Sequence, residues 1–338
     1  MTLTRRFRSV TRAPARVPTA VGLVARKFYR LLSAGRFAQA AGYASEFVGG
    51  ENRYWRRYAD RTDGRYVVAP VHDYRMWLDT ADPGISRTLL AFGIHEYASS
   101  RAFRRELERL AGETDRPVAL EIGANIGYFS LLEAAALGPS AHVYAVEPTP
   151  ENADLLERNL RLNGFEDRTT VARCAVGDVT GPATLYLSDL SNQHSVRPEG
   201  GDGRAHEGGS VSVEMLSAAD LLGRFGLAPE EVNVVRMDLE GYETVVLDQL
   251  RPVLESAGPT VVYVELHPLN LSDEELRAVV SLFRDNGFEP ASTVVHETAA
   301  GLNDWKSWHG HRLNLPDMDA VEAYLLRAGH AVELIARK

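Results

Sequence analysis

From residue 118 onward, short apolar runs alternate with segments of helical period, and that alternation predicts a parallel, doubly wound sheet. The runs are VALEIG (118–123), HVYAVE (142–147), TTVARCAV (169–176), VNVVRMD (232–238) and TVVYVEL (260–266). Helices are expected between them at about 126–137, 151–163, 217–225, 243–254 and 273–286. An insert, 177–215, separates the third and fourth strands and carries two short strands and a Gly-rich loop, EGGDGRAHEGG (199–209). Upstream, RYVVAPVHDYRMWL (66–79) reads as two short strands about a Pro-containing turn, followed by helical patterns near 86–94 and 100–111. Residues 1–18 are rich in Arg, Pro and Thr and are expected to be a disordered arm. Between about 19 and 41, Val21, Val24, Phe28, Leu31 and Leu32 recur at helical spacing. The chain therefore divides into a basic arm and helix (1–45), an extension of hairpin and helices (46–112), and a main α/β domain with a C-terminal addition (113–338).

Charge changes this picture at the front end. Residues 1–45 hold eight arginines, Lys27 and no acid. With those nine taken from the 37 basic residues, 28 face 46 acids over residues 46–338, a net of −18. An acidic main body argues against nucleic acid as the principal partner. The basic stripe at 19–37 leaves peripheral contact with an anionic membrane as one expectation and packing on the main body as the other. No stretch has the roughly 18–20 apolar residues of a spanning helix. Arg12, Arg16, Arg26 and Lys27 interrupt every short apolar run that could form a signal peptide. A cytoplasmic location is expected. The single cysteine, Cys174, excludes a disulfide framework, and its apolar flanks point to a buried thiol.

The candidate chemistry begins at LEIGANIGYFS (120–130), which reads as a strand entering a glycine turn and then a helix. A dinucleotide fingerprint needs G-x-G-x-x-G, whereas here the glycines are Gly123 and Gly127, and Glu121 stands on the strand before them. A carboxylate there would repel a pyrophosphate and suit a cationic or donor-rich ligand. Glu147 ends the second strand about 20 residues after the turn, where such folds grip ribose hydroxyls. Asp178, after CAVG, is placed at the same rim, where a base amine or simple turn chemistry could use it. A nucleoside with a charged, amino-acid-like tail fits this set, and S-adenosylmethionine is such a molecule; NAD is a poor fit.

In order along the chain, EIGANIGYFS, VYAVEPTPENADLLERNLRLNG, CAVGD, VVRMDLEGYETVVLDQL and VVYVELHP resemble the FkbM-type S-adenosylmethionine-dependent methyltransferases over about 118–288. The resemblance implies a Rossmann-like class I methyltransferase fold. It also implies that Glu121, Gly123, Asn125 and Gly127 line the methionine end of the cofactor, that Glu147 holds the ribose, and that Asp238 faces the transferred methyl. Two positions depart from the family pattern. Arg236 stands where lysine is usual, and an arginine cannot act as a base. Met215-Leu216-Ser217 stands in place of Thr-Leu-Asp.

If the strand turns at Gly241, Asp238 reaches the cleft and Glu240 caps the next helix, or else orients substrate. Methyl transfer to oxygen needs in-line positioning and a proton acceptor. Asp238 and His267 are the candidate bases, and Glu265 lies at the same sheet edge. No metal is expected; the alternative is a divalent cation held by Asp238, Glu240 and Glu265. The two histidines of WHGH (308–311), His309 and His311, match no zinc spacing with Cys174. The expected function is O-methylation of a hydroxyl on a sugar, a glycan or a small metabolite. A non-catalytic nucleoside-binding protein and an NAD-dependent oxidoreductase are the competing readings.

Overall fold

The computed structural model describes residues 65–188, 194–196, 209–295 and 310–338, with single positions between 25 and 44. Val21, Val24 and Leu31 of the expected front stripe, most of the Gly-rich loop and His309 lie outside the described residues. Phe28 and Leu32 are helical, the first half-buried and the second exposed. No helix among the described residues is long and apolar enough to cross a membrane.

An antiparallel hairpin, β1 (Tyr66–Val71) and β2 (Tyr74–Asp79), precedes helices α1 (Ile85–Phe92) and α2 (Tyr97–Ala111). The hairpin turns at His72 and Asp73 and not at Pro70, which pairs with Arg75 inside the ladder. Proline is tolerated there because the Arg75 N–H points outward, to the Asn163 side chain at 3.1 Å. Next come β3 (Val118–Ile122), α3 (Tyr128–Ala136), β4 (His142–Val146), α4 (Pro150–Asn163) and β5 (Thr169–Ala172). The single strand expected at 169–176 is broken at Arg173 and Cys174. Its second half, β6 (Ala175–Gly177), joins β7 (Gly181–Tyr186) and β8 (Ser210–Ser217) in a separate three-stranded sheet.

Helix α5 (Ala218–Phe225) starts at Ser217, whose hydroxyl accepts the Asp220 N–H, so serine supplies the cap at the position where the family pattern has aspartate. Strand β9 (Val234–Met237), helices α6 (Glu243–Gln249) and α7 (Arg251–Leu254), β10 (Val261–Leu266) and α8 (Asp273–Asp285) follow. The helix expected at 243–254 is divided at Leu250, where Pro252 starts the second piece. The C-terminal addition contains β11 (Glu289–Val295), β12 (His311–Leu313), α9 (Met318–Leu325) and β13 (Val332–Arg337).

The main sheet runs β12-β11-β13-β10-β9-β3-β4-β5. Its right half, β10 to β5, is parallel, and the three C-terminal strands add in antiparallel fashion. This is the doubly wound, mostly parallel sheet that the pattern predicts. Alternate residues feed two cores. Leu120, Ile122, Val235 and Met237 pack on one face with α5 to α9. Ala119, Val234 and Val261 pack on the other with the hairpin and α1 to α4. The chain reverses its winding between β3 and β9, and ligands of such sheets bind outside the strand ends at that reversal.

Candidate active site

Register places Glu121, Arg236 and Tyr263 side by side on β3, β9 and β10. Arg236 is 5% exposed and Glu121 fully buried. The guanidinium lies 4.0 Å over the Phe129 ring and 5.5 Å from that of Tyr263. Its Nη1 donates to the Gly123 carbonyl at 3.2 Å and meets Glu121 Oε1 at 3.5 Å. The Ser130 hydroxyl donates to the other Glu121 oxygen. Burial pushes the Glu121 carboxyl up to about 7, although Arg236 works against the shift. The position with arginine in place of lysine is thus a buried strut beneath the glycine turn.

At that turn Gly123 (φ 82) and Asn125 (φ 50) adopt left-handed conformations, and the Gly123 and Ala124 N–H groups both donate to the Val146 carbonyl at 2.9 Å. A Cβ on Gly123 would stand 2.4 Å from the Asp238 carbonyl oxygen. Glycine is needed because the turn presses on the end of β9. Gly127 serves packing in the same way, since a Cβ there would meet Leu156 of α4 at 2.6 Å. Glu147, 5% exposed, accepts the Asn125 N–H on one oxygen and the Thr149 N–H on the other, each at 2.9 Å. Burial raises its pKa while these bonds oppose the shift.

A cleft at the strand ends is lined by Gly123, Asn125, Glu147, Asp238 and Glu240, together with Cys174, Ala175 and Val176. Cys174 is fully buried, and that burial pushes its thiol up to about 11. Glu121, Gly127, Asp178, Glu265 and His267 stand outside the cleft wall. Asp178 is exposed and accepts the Tyr242 hydroxyl at 3.0 Å. The break in the expected third strand is what carries it away from the rim.

The segment after β9 departs from the capping expectation. Glu240 takes a left-handed backbone (φ 51) and lines the cleft. The capping carboxylate is Glu243, whose Oε1 accepts the Leu239 and Gly241 N–H groups at 3.1 and 3.0 Å. The same oxygen meets His267 Nδ1 at 3.0 Å. His267 Nε2 faces Glu240 at 3.6 Å and Glu265 at 3.9 Å. Burial disfavours the imidazolium, but Glu243, Glu240 and Glu265 together hold its pKa well above the ordinary value. Asp238, a fifth exposed, has a buried Oδ1 without a hydrogen-bond partner among the described residues. Its pKa is raised by burial, against the pull of Arg236 and His267.

A family model described as the methyltransferase FkbM domain matches residues 121–290. The chain belongs to the FkbM methyltransferase family. It is similar to methyltransferase sdnD of Sordaria araneosa, 27% identical over 203 residues that cover 53% of this chain and 76% of that protein. It is also similar to the hexuronic acid methyltransferase AglP of Haloferax volcanii, 31% identical over 154 residues that cover 44% of this chain and 56% of that protein. Among solved structures, methyltransferase FkbM from Methylobacillus flagellatus KT matches at 14% identity and TM-score 0.38, over 65% of this chain and 44% of the other.

S-adenosylmethionine is the cofactor of the FkbM methyltransferases, and the residues present fit it. The glycine turn brings backbone close to the cleft, Glu147 would hold the ribose with carboxylate oxygens that face the turn, and Asp238 has a buried oxygen without a hydrogen bond among the described residues that would suit a cationic ligand. The residues missed by sequence reasoning are Glu243 and the row of Phe129 and Tyr263 that sandwiches Arg236. Their signal was present in part, because alternation places Tyr263 on the same side of β10 as Glu265 and Glu243 opens the expected helix.

Proposed function

We propose that this chain transfers the methyl group of S-adenosylmethionine to a hydroxyl of a sugar, a glycan or another small acceptor. The observation that carries this reading is the Asp238 Oδ1 just past β9, buried and without a hydrogen bond among the described residues, beside the Gly123 turn. Transfer to oxygen is an in-line displacement at carbon, so holding acceptor oxygen, methyl carbon and sulfur in a row supplies much of the rate. The acceptor must also lose a proton, and a carboxylate whose pKa is raised by burial is better matched to that task than an ordinary aspartate. The acids around His267 hold its pKa well above the ordinary value, so it is poorly suited to accept a proton. The sugar preference draws support from the similarity to a hexuronic acid methyltransferase.

The test uses full-length protein, methyl-labelled S-adenosylmethionine and a panel of hexuronic acid glycosides and simple polyols. The expected product is a labelled methyl ether. Asp238→Asn should keep S-adenosylhomocysteine binding and lose at least about a hundredfold in turnover. Full turnover in that variant removes Asp238 as the base, and failure of the unaltered protein to bind S-adenosylhomocysteine overturns the cofactor assignment.

A further inference from the structure

We propose that Asp238 and Glu240 of the cleft wall, with His267 behind them, form a site for one divalent first-row metal ion. One ligand atom from each of the three lies within 4.8 Å of the others, and a small inward movement of the side chains would let one ion about 2.1–2.3 Å from each hold all three. The sequence alone favoured a metal-free cleft and offered Glu265 as the third ligand of the alternative; the geometry substitutes His267.

The histidine is the deciding observation. It is 6% exposed. Its Nδ1 is tied to Glu243 Oε1 at 3.0 Å, and Glu243 is itself held by two backbone N–H groups. A carboxylate on one ring nitrogen fixes the ring and directs the other nitrogen outward as a ligand, the arrangement by which metal-bound histidines are oriented. Here Nε2 points at Glu240 and Glu265, 3.6 and 3.9 Å away, both beyond hydrogen-bond reach. Asp238 Oδ1 is likewise buried without a hydrogen bond among the described residues. Asp238 and His267, each one residue past the end of its strand, thus bring ligand atoms within 4.8 Å of one another.

Two further features agree. Glu240 reaches this point from a left-handed backbone, a conformation unfavourable for a side-chain-bearing residue and held by its surroundings. Arg236 is committed to the Gly123 carbonyl and Glu121, with Asp238 Oδ2 at 3.9 Å. Four carboxylates, Asp238, Glu240, Glu243 and Glu265, therefore crowd one histidine. A divalent ion would take the place of the Nε2 proton and offset that crowding.

One imidazole and two carboxylates, without a thiolate, suit manganese, iron or zinc better than calcium. A three-ligand site keeps positions open toward the cleft, where an acceptor with two neighbouring oxygens, a vicinal diol or an α-hydroxy acid, could chelate. This part rests on the proposed methyl transfer. The carbon–sulfur bond breaks with its electron pair going to sulfur, and the acceptor oxygen forms the new bond to carbon. The hydroxyl proton, made more acidic by the ion, passes to the second Asp238 oxygen.

The experiment titrates chelator-stripped, full-length protein with Mn2+ alone, read by calorimetry and by the electron paramagnetic resonance of free Mn2+. One site per chain is expected. His267→Gln and Glu240→Gln should each weaken it at least about tenfold, and Glu243→Gln about ten- to a hundredfold through the ring it orients. Thermal unfolding of each variant identifies any that fail to fold, and Glu240→Gln, at the cleft surface, is the least exposed to that failure. Absence of Mn2+ binding by the folded protein, or binding that survives these substitutions unchanged, overturns the site. S-adenosylhomocysteine binding measured on the same samples separates this failure from that of the methyl-transfer reading.

Discussion

Arg236 Nη1 donates to the carbonyl of Gly123 at 3.2 Å, across from one strand to the turn that ends its neighbour. The same guanidinium is the charge partner of buried Glu121. Removing one member of a buried pair leaves the other charge uncompensated, at a cost of about 3–5 kcal/mol. Arg236→Met is expected to lose that much in urea denaturation and to bind S-adenosylhomocysteine more weakly, because the turn loses its anchor. Arg236→Lys should recover part of the stability. Lysine retains the charge without the planar stacking on Phe129. If Arg236→Met is as stable as the unaltered protein, the strut is not structural.

Gly123 and Gly138 share a left-handed backbone, φ 82 and 87, but differ in what a Cβ would meet. At Gly123 it would stand 2.4 Å from the Asp238 carbonyl oxygen; at Gly138 nothing lies within 4 Å. Gly138→Ala should therefore cost only backbone strain, about 1–2 kcal/mol, with unchanged cofactor affinity. Gly123→Ala should add displacement of the β9 end and weaken S-adenosylhomocysteine at least about tenfold, or ~1.4 kcal/mol. Calorimetry on the pair decides it, and equal affinities would mean that the cleft tolerates the shift.

Glu133 on α3 is fully buried, and neither of its carboxylate oxygens has a hydrogen-bond partner among the described residues. Burial, with Glu121 nearby, raises its pKa well above the ordinary 4.5. In the unfolded chain it ionises near that ordinary value. The neutral acid's contribution is full below about pH 4.5 and is lost as pH rises toward the folded pKa, by up to ~1.4 kcal/mol per pH unit. Glu121, pushed up to about 7, adds a loss of the same sign. Denaturation between pH 5 and 8 should show Glu133→Gln gaining on the unaltered protein as pH rises. A difference that stays constant with pH would mean that Glu133 is not neutral in the folded state.

The strand–turn–helix at 118–137 and the E-P strand end at 146–148 were legible because they depend on local spacing. Apolar runs gave the strands, and the missing second glycine disfavoured a dinucleotide. The division of TTVARCAV between two sheets was not legible. Arg173 and Cys174 lie in an otherwise strand-like run, and only distant pairing with Met215, Leu216 and Ser217 fixes the second half. Asp178 moved off the rim for the same reason. In DLEGYE, three acids within six residues compete for the N–H groups ahead of α6. Which one reaches them depends on the turn at Gly241 (φ 100), a matter of backbone direction that composition does not encode. The C-terminal strands were missed because they are antiparallel additions whose partners are far apart in the chain.

Asn159 and Asn163, one helical turn apart on α4, treat the outer edge of β2 as a neighbouring strand would. Asn159 Oδ1 accepts the Trp77 N–H at 2.6 Å, and Nδ2 donates to the Trp77 and Ile126 carbonyls at 3.3 and 2.8 Å. Asn163 repeats the pattern at Arg75, accepting at 3.1 Å and donating at 2.8 Å. Residues 75 and 77 face the same way on a strand, and i, i+4 positions face the same way on a helix, so two asparagines suffice to satisfy both. Asn159 is fully buried and Asn163 is not. Asn159→Ala would leave buried backbone groups unpaired and should cost about 2–4 kcal/mol, whereas Asn163→Ala, where water can substitute, should cost about 0.5–1.5 kcal/mol. Because Ile126 belongs to the turn that carries Asn125, Asn159→Ala should also weaken S-adenosylhomocysteine, and Asn163→Ala should not. Equal losses of stability in the two variants, or an unaltered affinity in a folded Asn159→Ala, would separate the hairpin from the cofactor turn.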